Sequence, residues 1–113
     1  MSFKTNIEEK TLNNSFYRKV IYTTPDLQLV LMSLLPHQEI GMEKHDGTQF
    51  IRIEDGSGIA IINGKRQTLT DGSAIIIRKN TCHNIISGSH GMKIYTIYSP
   101  PQHPKNAKEK YKK

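Results

Sequence analysis

Glu43, His45 and Gln49 stand at positions of one parity, and in an extended chain such residues point to one face. If parity is kept through the tight Asp46-Gly47 step, they face the same way as Ile51 and Ile53, the apolar pair that marks an interior. A carboxylate and an imidazole turned into a core are costly to bury unpaired, and coordination of a cation is a direct solution. His83 is the distant fourth member. It follows the turn Arg78-Lys79-Asn80-Thr81, shares parity with Ile85, and leaves Cys82 pointing the other way as a structural or exposed thiol. Two imidazoles, a carboxylate and an amide oxygen form a borderline-hard donor set. It suits divalent Mn, Fe, Co, Ni or Zn with one or two open positions for water or substrate. Taken singly, a histidine that begins a strand is more often a surface residue, and Glu-x-His is common on solvated strands. Only the combination points to a metal.

The elements that must hold these residues are strands. Turn chemistry recurs at short intervals, at Thr24-Pro25-Asp26, Asp46-Gly47, Asp55-Gly56-Ser57-Gly58, Asn63-Gly64, Asp71-Gly72, Asn80-Thr81 and Gly88-Ser89-His90-Gly91. Between these turns lie β-branched and aromatic runs: Leu27–Leu35, Gln49–Ile53, Ile59–Ile62, Ala74–Ile77, His83–Ile86 and Lys93–Tyr98. Short strands at this spacing read as an all-β sandwich or barrel. Asn63-Gly64 is the clearest hairpin turn, because both residues accept positive φ. Ala74–Ile77 is apolar on both faces and is expected to be covered on both sides. Ile7–Thr11 fits either a helical turn or an edge strand.

At 113 residues the chain has room for one domain, read as residues 1–104 with a lysine-rich tail at 105–113. The formal net charge is +6, but Lys105, Lys108, Lys110, Lys112 and Lys113 nearly account for the excess. A charge run confined to one end reads as a solvated tail that contributes little to stability. It does not make the basic, aromatic-interleaved face that nucleic acid requires. The single cysteine excludes an intrachain disulfide and a thiolate metal cage, and suits a reducing cytoplasm. Met1–Lys10 has no signal-peptide core, and the longest apolar-rich stretch is about half a membrane span. The chain is therefore expected to be soluble and cytoplasmic.

These motifs resemble the small single-domain cupins, whose first motif is glycine-rich with His-x-His and a following Glu, and whose second has Gly and then His. Here the first runs from Ile40 to Gly56 and the second from Gly72 to Asn84. Ligand spacing is kept, but Glu43 stands where the first His is usual and Gln49 where the Glu is usual. Gly41–His45, Gln49–Gly56 and Tyr95–Pro104 are similar to a subgroup labelled mannose-6-phosphate-isomerase-like. Arg78 and Asn80 replace its usual Pro and Gly. Lysines replace its Gly-Thr-Val-His continuation, which implies a less covered pocket.

The resemblance implies a double-stranded β-helix (jelly-roll) barrel, a metal site of Glu43, His45, Gln49 and His83, and a homodimer. It also implies a small sugar or sugar-phosphate-like ligand, handled by an isomerase. A metal-dependent oxygenase and a non-catalytic binding or sensing module are the alternatives, because one fold hosts all of them. Tyr95, Glu54 and His103 are candidate bases or orienters. Arg52 and Arg78 are candidate phosphate holders, and Tyr98 is a further candidate contact for substrate. On the last strand Ile94, Thr96 and Tyr98 share one face and Tyr95 and Ile97 the other, and the pattern does not select which lines the pocket.

Overall fold

The computed structural model describes residues 1–113, and its architecture is set by two long strands that pair along most of their length. These are β3 (Thr48–Ile62) and β6 (His83–Ser99). The others are β1 (Arg18–Thr23), β2 (Gln28–Leu34), β4 (Lys65–Leu69), β5 (Ala74–Ile77) and the two-residue β7 (Lys108–Glu109). The sheet order is β4-β3-β6-β2-β1-β7, with β5 on the first half of β3. All pairings are antiparallel. The first half of β3 and the second half of β6 lie in one wall with β5, β2 and β1. Their other halves lie in a second wall with β4 and the segment around Glu39–Glu43. This is the expected jelly-roll barrel.

The two glycine-rich stretches read as turns are corners inside continuous strands. The register of β3 on β6 shifts between Ile53 and Asp55 and again between Gly56 and Gly58, which marks bulges that bend the ladder. Gly56 has φ +103°, and a Cβ there would lie 2.2 Å from the Gly91 carbonyl oxygen. No other residue type allows the two strands to meet at that corner. The Asn63-Gly64 turn joins β3 to β4 as a two-residue hairpin with positive φ at both residues, as its sequence requires.

Inward residues alternate as parity demands. Ile51, Ile53, Ala60, Ile85, Ile94, Val30, Met32 and Tyr98 belong to one buried cluster. β5 departs from expectation. Ile77 is buried but Ile76 is 67% exposed, because it points to the outer face beside Phe50, where no element covers it. Ile7–Asn13 forms a helix, α1, capped by the Asn6 side chain, which accepts from the Glu9 N–H at 3.1 Å. Seven residues make a marginal helix alone. Tertiary contacts hold this one: Thr11 is fully buried, and the Lys93 ammonium donates to the Asn14 carbonyl at 2.7 Å. No helix is long and apolar enough to cross a membrane.

The C-terminal segment is docked on the barrel by its backbone, although its lysine side chains stay exposed. β7 pairs with β1, the Tyr17 N–H donates to the Lys110 carbonyl, and the Val20 N–H donates to that of Ala107. Arg18 forms an ion pair with Glu109. Farther along, the Lys112 ammonium donates to the Glu39 carbonyl at 2.6 Å, so the tail runs from β1 to the segment that carries Glu43. A chain ending at Pro104 should therefore lose on the order of 2 kcal/mol or more, since backbone bonds go and a buried arginine loses its partner. Urea denaturation of the truncated and full-length chains measures this, and equal midpoints would show that the tail merely adheres.

Candidate metal centre

Glu43 and His83 are brought together by the backbone itself. They form an isolated antiparallel bridge, with N–H to carbonyl distances of 2.8 and 2.9 Å. Asn84, the buried neighbour of His83, clamps the same segment. Its amide donates to Glu39 Oε1 at 2.9 Å and its carbonyl accepts from the Gly41 N–H at 2.8 Å. His45 sits on the following loop, which two local features position. Asn80, at φ +62°, turns its N–H to the His45 carbonyl at 2.7 Å, and asparagine is the non-glycine residue that best tolerates this conformation. Gly47 packs so closely on the end of β6 that a Cβ would lie 2.6 Å from the Ser99 carbonyl oxygen.

One ligand atom each from Glu43, His45 and His83 lies within 4.8 Å of the others. Glu43 Oε1 is 3.4 Å from His45 Nε2 and 3.9 Å from His83 Nε2, and the two rings are 5.3 Å apart. Gln49 faces the interior from β3, opposite Tyr98, whose ring stands edge-on to His45 at 5.3 Å. His45 Nε2, His83 Nε2 and Gln49 Oε1 are all buried, and none has a hydrogen-bond partner. Two of these atoms are oriented by groups behind them. His83 Nδ1 lies 2.9 Å from the Thr81 carbonyl, which can only accept, so Nδ1 carries the proton and Nε2 presents a lone pair. Gln49 Nε2 donates to Thr96 Oγ1 at 3.0 Å, and the Thr96 hydroxyl donates to the Phe50 carbonyl at 2.8 Å, which turns Oε1 inward.

Burial pushes the Glu43 carboxyl up, but His45, Arg18 and His83 together outweigh it and hold the group below its ordinary range. Two oriented lone pairs and the buried His45 Nε2, beside an ionised carboxylate, make a donor set that fits a divalent cation.

The profile described as "Cupin domain" matches residues 30–98, which hold His45, Gln49 and His83. The chain belongs to the cupin family. It is 47% identical over 108 residues to a protein of Acanthamoeba polyphaga mimivirus, covering 90% of this chain and 68% of that one. It is 38% identical over 110 residues to YrkC of Bacillus subtilis, again over 90% of this chain but 59% of the relative. The crystal structure of BH2720 from Bacillus halodurans superposes with a TM-score of 0.94 at 33% identity, covering 97% of this chain and 89% of that one.

Within this cupin the other candidate residues divide between two faces. Ile94, Thr96 and Tyr98 are buried and line the interior, which decides the face of the last strand. Tyr95 lies on the outer face beside Phe50, ring centroids 6.2 Å apart, and so cannot act at the cluster. Arg52 and Glu54 are on that outer face too, 3.6 Å from each other, because their parity is opposite to that of Ile51 and Ile53. Arg78 is exposed on the turn after β5. His103 does reach the site: its Nε2 is 3.4 Å from the Tyr98 hydroxyl, the rings edge-on at 5.2 Å.

Two site residues escaped the sequence reading. Gln28 is fully buried. Its amide donates to the His103 carbonyl at 2.8 Å and its oxygen accepts from the His103 N–H at 3.1 Å, which sets the histidine against Tyr98. Arg18 shares the inner face of β1 with Val20. The signal for both was parity with apolar neighbours, Val20 for Arg18, Val30 and Met32 for Gln28.

Burial raises the Tyr98 phenol well above its usual range, with Glu43 adding to the effect. Burial, followed by the Arg18 charge, pushes the His103 imidazole from 6.5 down to about 4. Between those two values the unfolded chain binds a proton that the folded chain refuses, so stability rises with pH across this window and falls as the solution is acidified. His103→Gln should flatten the dependence of melting temperature on pH between about 4 and 6.5. An unchanged slope would show that His103 protonates freely in the folded state.

Proposed function

We propose that this chain is a divalent-metal cupin that acts on a small sugar or sugar-phosphate-like ligand. The observation that carries the metal reading is the set of three buried, unpartnered donor atoms, His45 Nε2, His83 Nε2 and Gln49 Oε1, beside the Glu43 carboxylate. Left alone, each costs roughly 1–3 kcal/mol of lost hydration. Mn, Fe, Co, Ni or Zn would satisfy all of them, and such an ion supplies Lewis-acid polarisation of a ligand oxygen. With Gln49 neutral, Glu43 is the one negative ligand, so net positive charge remains to act on that oxygen.

The residues that would serve an isomerase are Tyr98 and His103. Tyr98, its ring edge-on to His45, keeps its proton, and His103 is neutral near pH 7 and able to accept from its hydroxyl. A binding or sensing role is the second reading, because His103, the base that reaches the site, faces a phenol that keeps its proton. The lone exposed Cys82 suits a reducing, cytoplasmic setting.

The purified chain should contain close to one equivalent of divalent metal by elemental analysis, and chelation should lower its melting temperature. His83→Ala should weaken metal binding by more than the roughly 10–100-fold that loss of an outer-shell partner costs, whereas Gln49→Glu should tighten it. Normal metal content in His83→Ala would sink this ligand set. A substrate screen of the metal-loaded protein with aldose and ketose phosphates then separates turnover from binding.

The assembly that accompanies this reading is a homodimer. Ile76 is exposed on the free side of β5, next to Phe50 on the same outer face, and a free sheet edge with an apolar residue is a surface that a second copy can cover. Light scattering should give twice the chain mass, and Ile76→Lys should return it to the monomer value. A monomer at high concentration would refute the pairing.

A further inference from the structure

Arg18 has no part in the metal ligand set, yet it points into the barrel. It shares the inner face of β1 with the core residue Val20, and its side chain is only 12% exposed. The guanidinium lies over the Tyr17 ring, 5.1 Å from its centroid, which orients the fork. Its partner is Glu109, which arrives 91 positions later on β7, a strand of two residues. That contact uses NH1, and Nε is buried without a partner, so Glu109 occupies only part of a fork built for two-point recognition. Glu109 is also the more accessible of the pair, at 29% against 12%.

The geometry points to Arg18 as the anchor for an oxyanion group of the ligand, a carboxylate or a phosphate monoester, with Glu109 occupying that place until the ligand displaces it. This rests on the reading of the barrel interior as a ligand site.

Three further observations support the assignment. The first is position: Arg18 pairs with Met32 in the β1–β2 register, and Met32 is fully buried, so the arginine stem leaves from the inner face of the barrel. The second is an opening nearby: Tyr17, whose ring lies against the guanidinium, also lines a hollow of about 220 Å³ along the C-terminal segment. The third is the attachment of the tail. Two paired residues and a few single hydrogen bonds hold it, and segments so held open at lower free energy than core strands.

The test follows the Arg18 Nε–Hε cross-peak of the ¹⁵N-labelled full-length chain as sodium acetate or methyl phosphate is added, with and without one equivalent of zinc. The Arg18 signal should move saturably with at least one of the two anions, and the anion that acts at lower concentration identifies the class. Glu109→Gln should tighten that binding by about tenfold, the equivalent of one competing charge-assisted hydrogen bond removed. Arg18→Lys, which keeps the charge without the fork, should weaken binding as judged from neighbouring amide signals, and Arg18→Gln should abolish it. A wild-type Arg18 signal unmoved by both anions, or equal affinities in wild type and a folded Glu109→Gln, would overturn the assignment. Failure of the metal reading would look different: no zinc uptake, while the Arg18 signal still responds.

Discussion

The pairing of β3 with β6 is the interaction on which the rest of this molecule depends. Both strands cross from one wall of the barrel to the other, and both bend where glycines let their backbones touch. Gln49 lies on one and His83, Thr96 and Tyr98 on the other, so the ladder that closes the core also sets the spacing of the site. The Glu43 segment is a rider on this frame. It is tied to the start of β6 by a backbone bridge and by the Asn84 amide.

What distinguishes the interior is polar side chains held by groups that use one end of each and leave the other end free. Thr81 takes the Nδ1 proton of His83, and Thr96 takes the amide hydrogen of Gln49. In each case the remaining atom is buried without a partner. A barrel selected for stability alone would fill such positions with apolar side chains, since buried polar atoms that are half satisfied cost more than hydrocarbon. The arrangement makes physical sense as a preorganised donor set, in which rigid strands hold the lone pairs where a cation brings them together.

The same logic extends to the C-terminal segment. A run of lysines is expected to stay in water, and these do: Lys105, Lys108, Lys110, Lys112 and Lys113 are all exposed. What docks the segment is the one acidic residue among them, Glu109, together with the partly buried Ala107. The partner of Glu109 is a cation facing the wrong way for a surface residue. Arg18 needs a carboxylate because it points inward, and the tail supplies one. The lysines around it are then displayed at the edge of the barrel.

Much of the candidate site's geometry was legible in the residues alone. The shared parity of Gln49, Ile51 and Ile53, the pairing of His83 with Ile85, and the Asn63-Gly64 turn are local properties. They follow from the two-residue period of a strand and from the few residue types that accept positive φ. The donor types at Glu43, His45, Gln49 and His83 were likewise written in the chain, and so was the class of barrel. Other features were decided only by what lies across from each residue. Asp55–Gly58 and Gly88–Gly91 each look like turns, and become strand corners because Asp55, Gly56 and Gly58 pair with Lys93, Met92 and Ser87, the residues that flank the second stretch. Tyr98 faces inward and Tyr95 outward because β6 lies between β2 and β3, a choice that an alternating apolar strand leaves open. Ile76 is bare because no element packs on the outer face of β5. Gln28 holds His103, and Glu109 holds Arg18, across 75 and 91 positions. Periodicity constrains where a side chain points relative to its neighbours in sequence. Which group meets it there depends on the closure of the whole barrel.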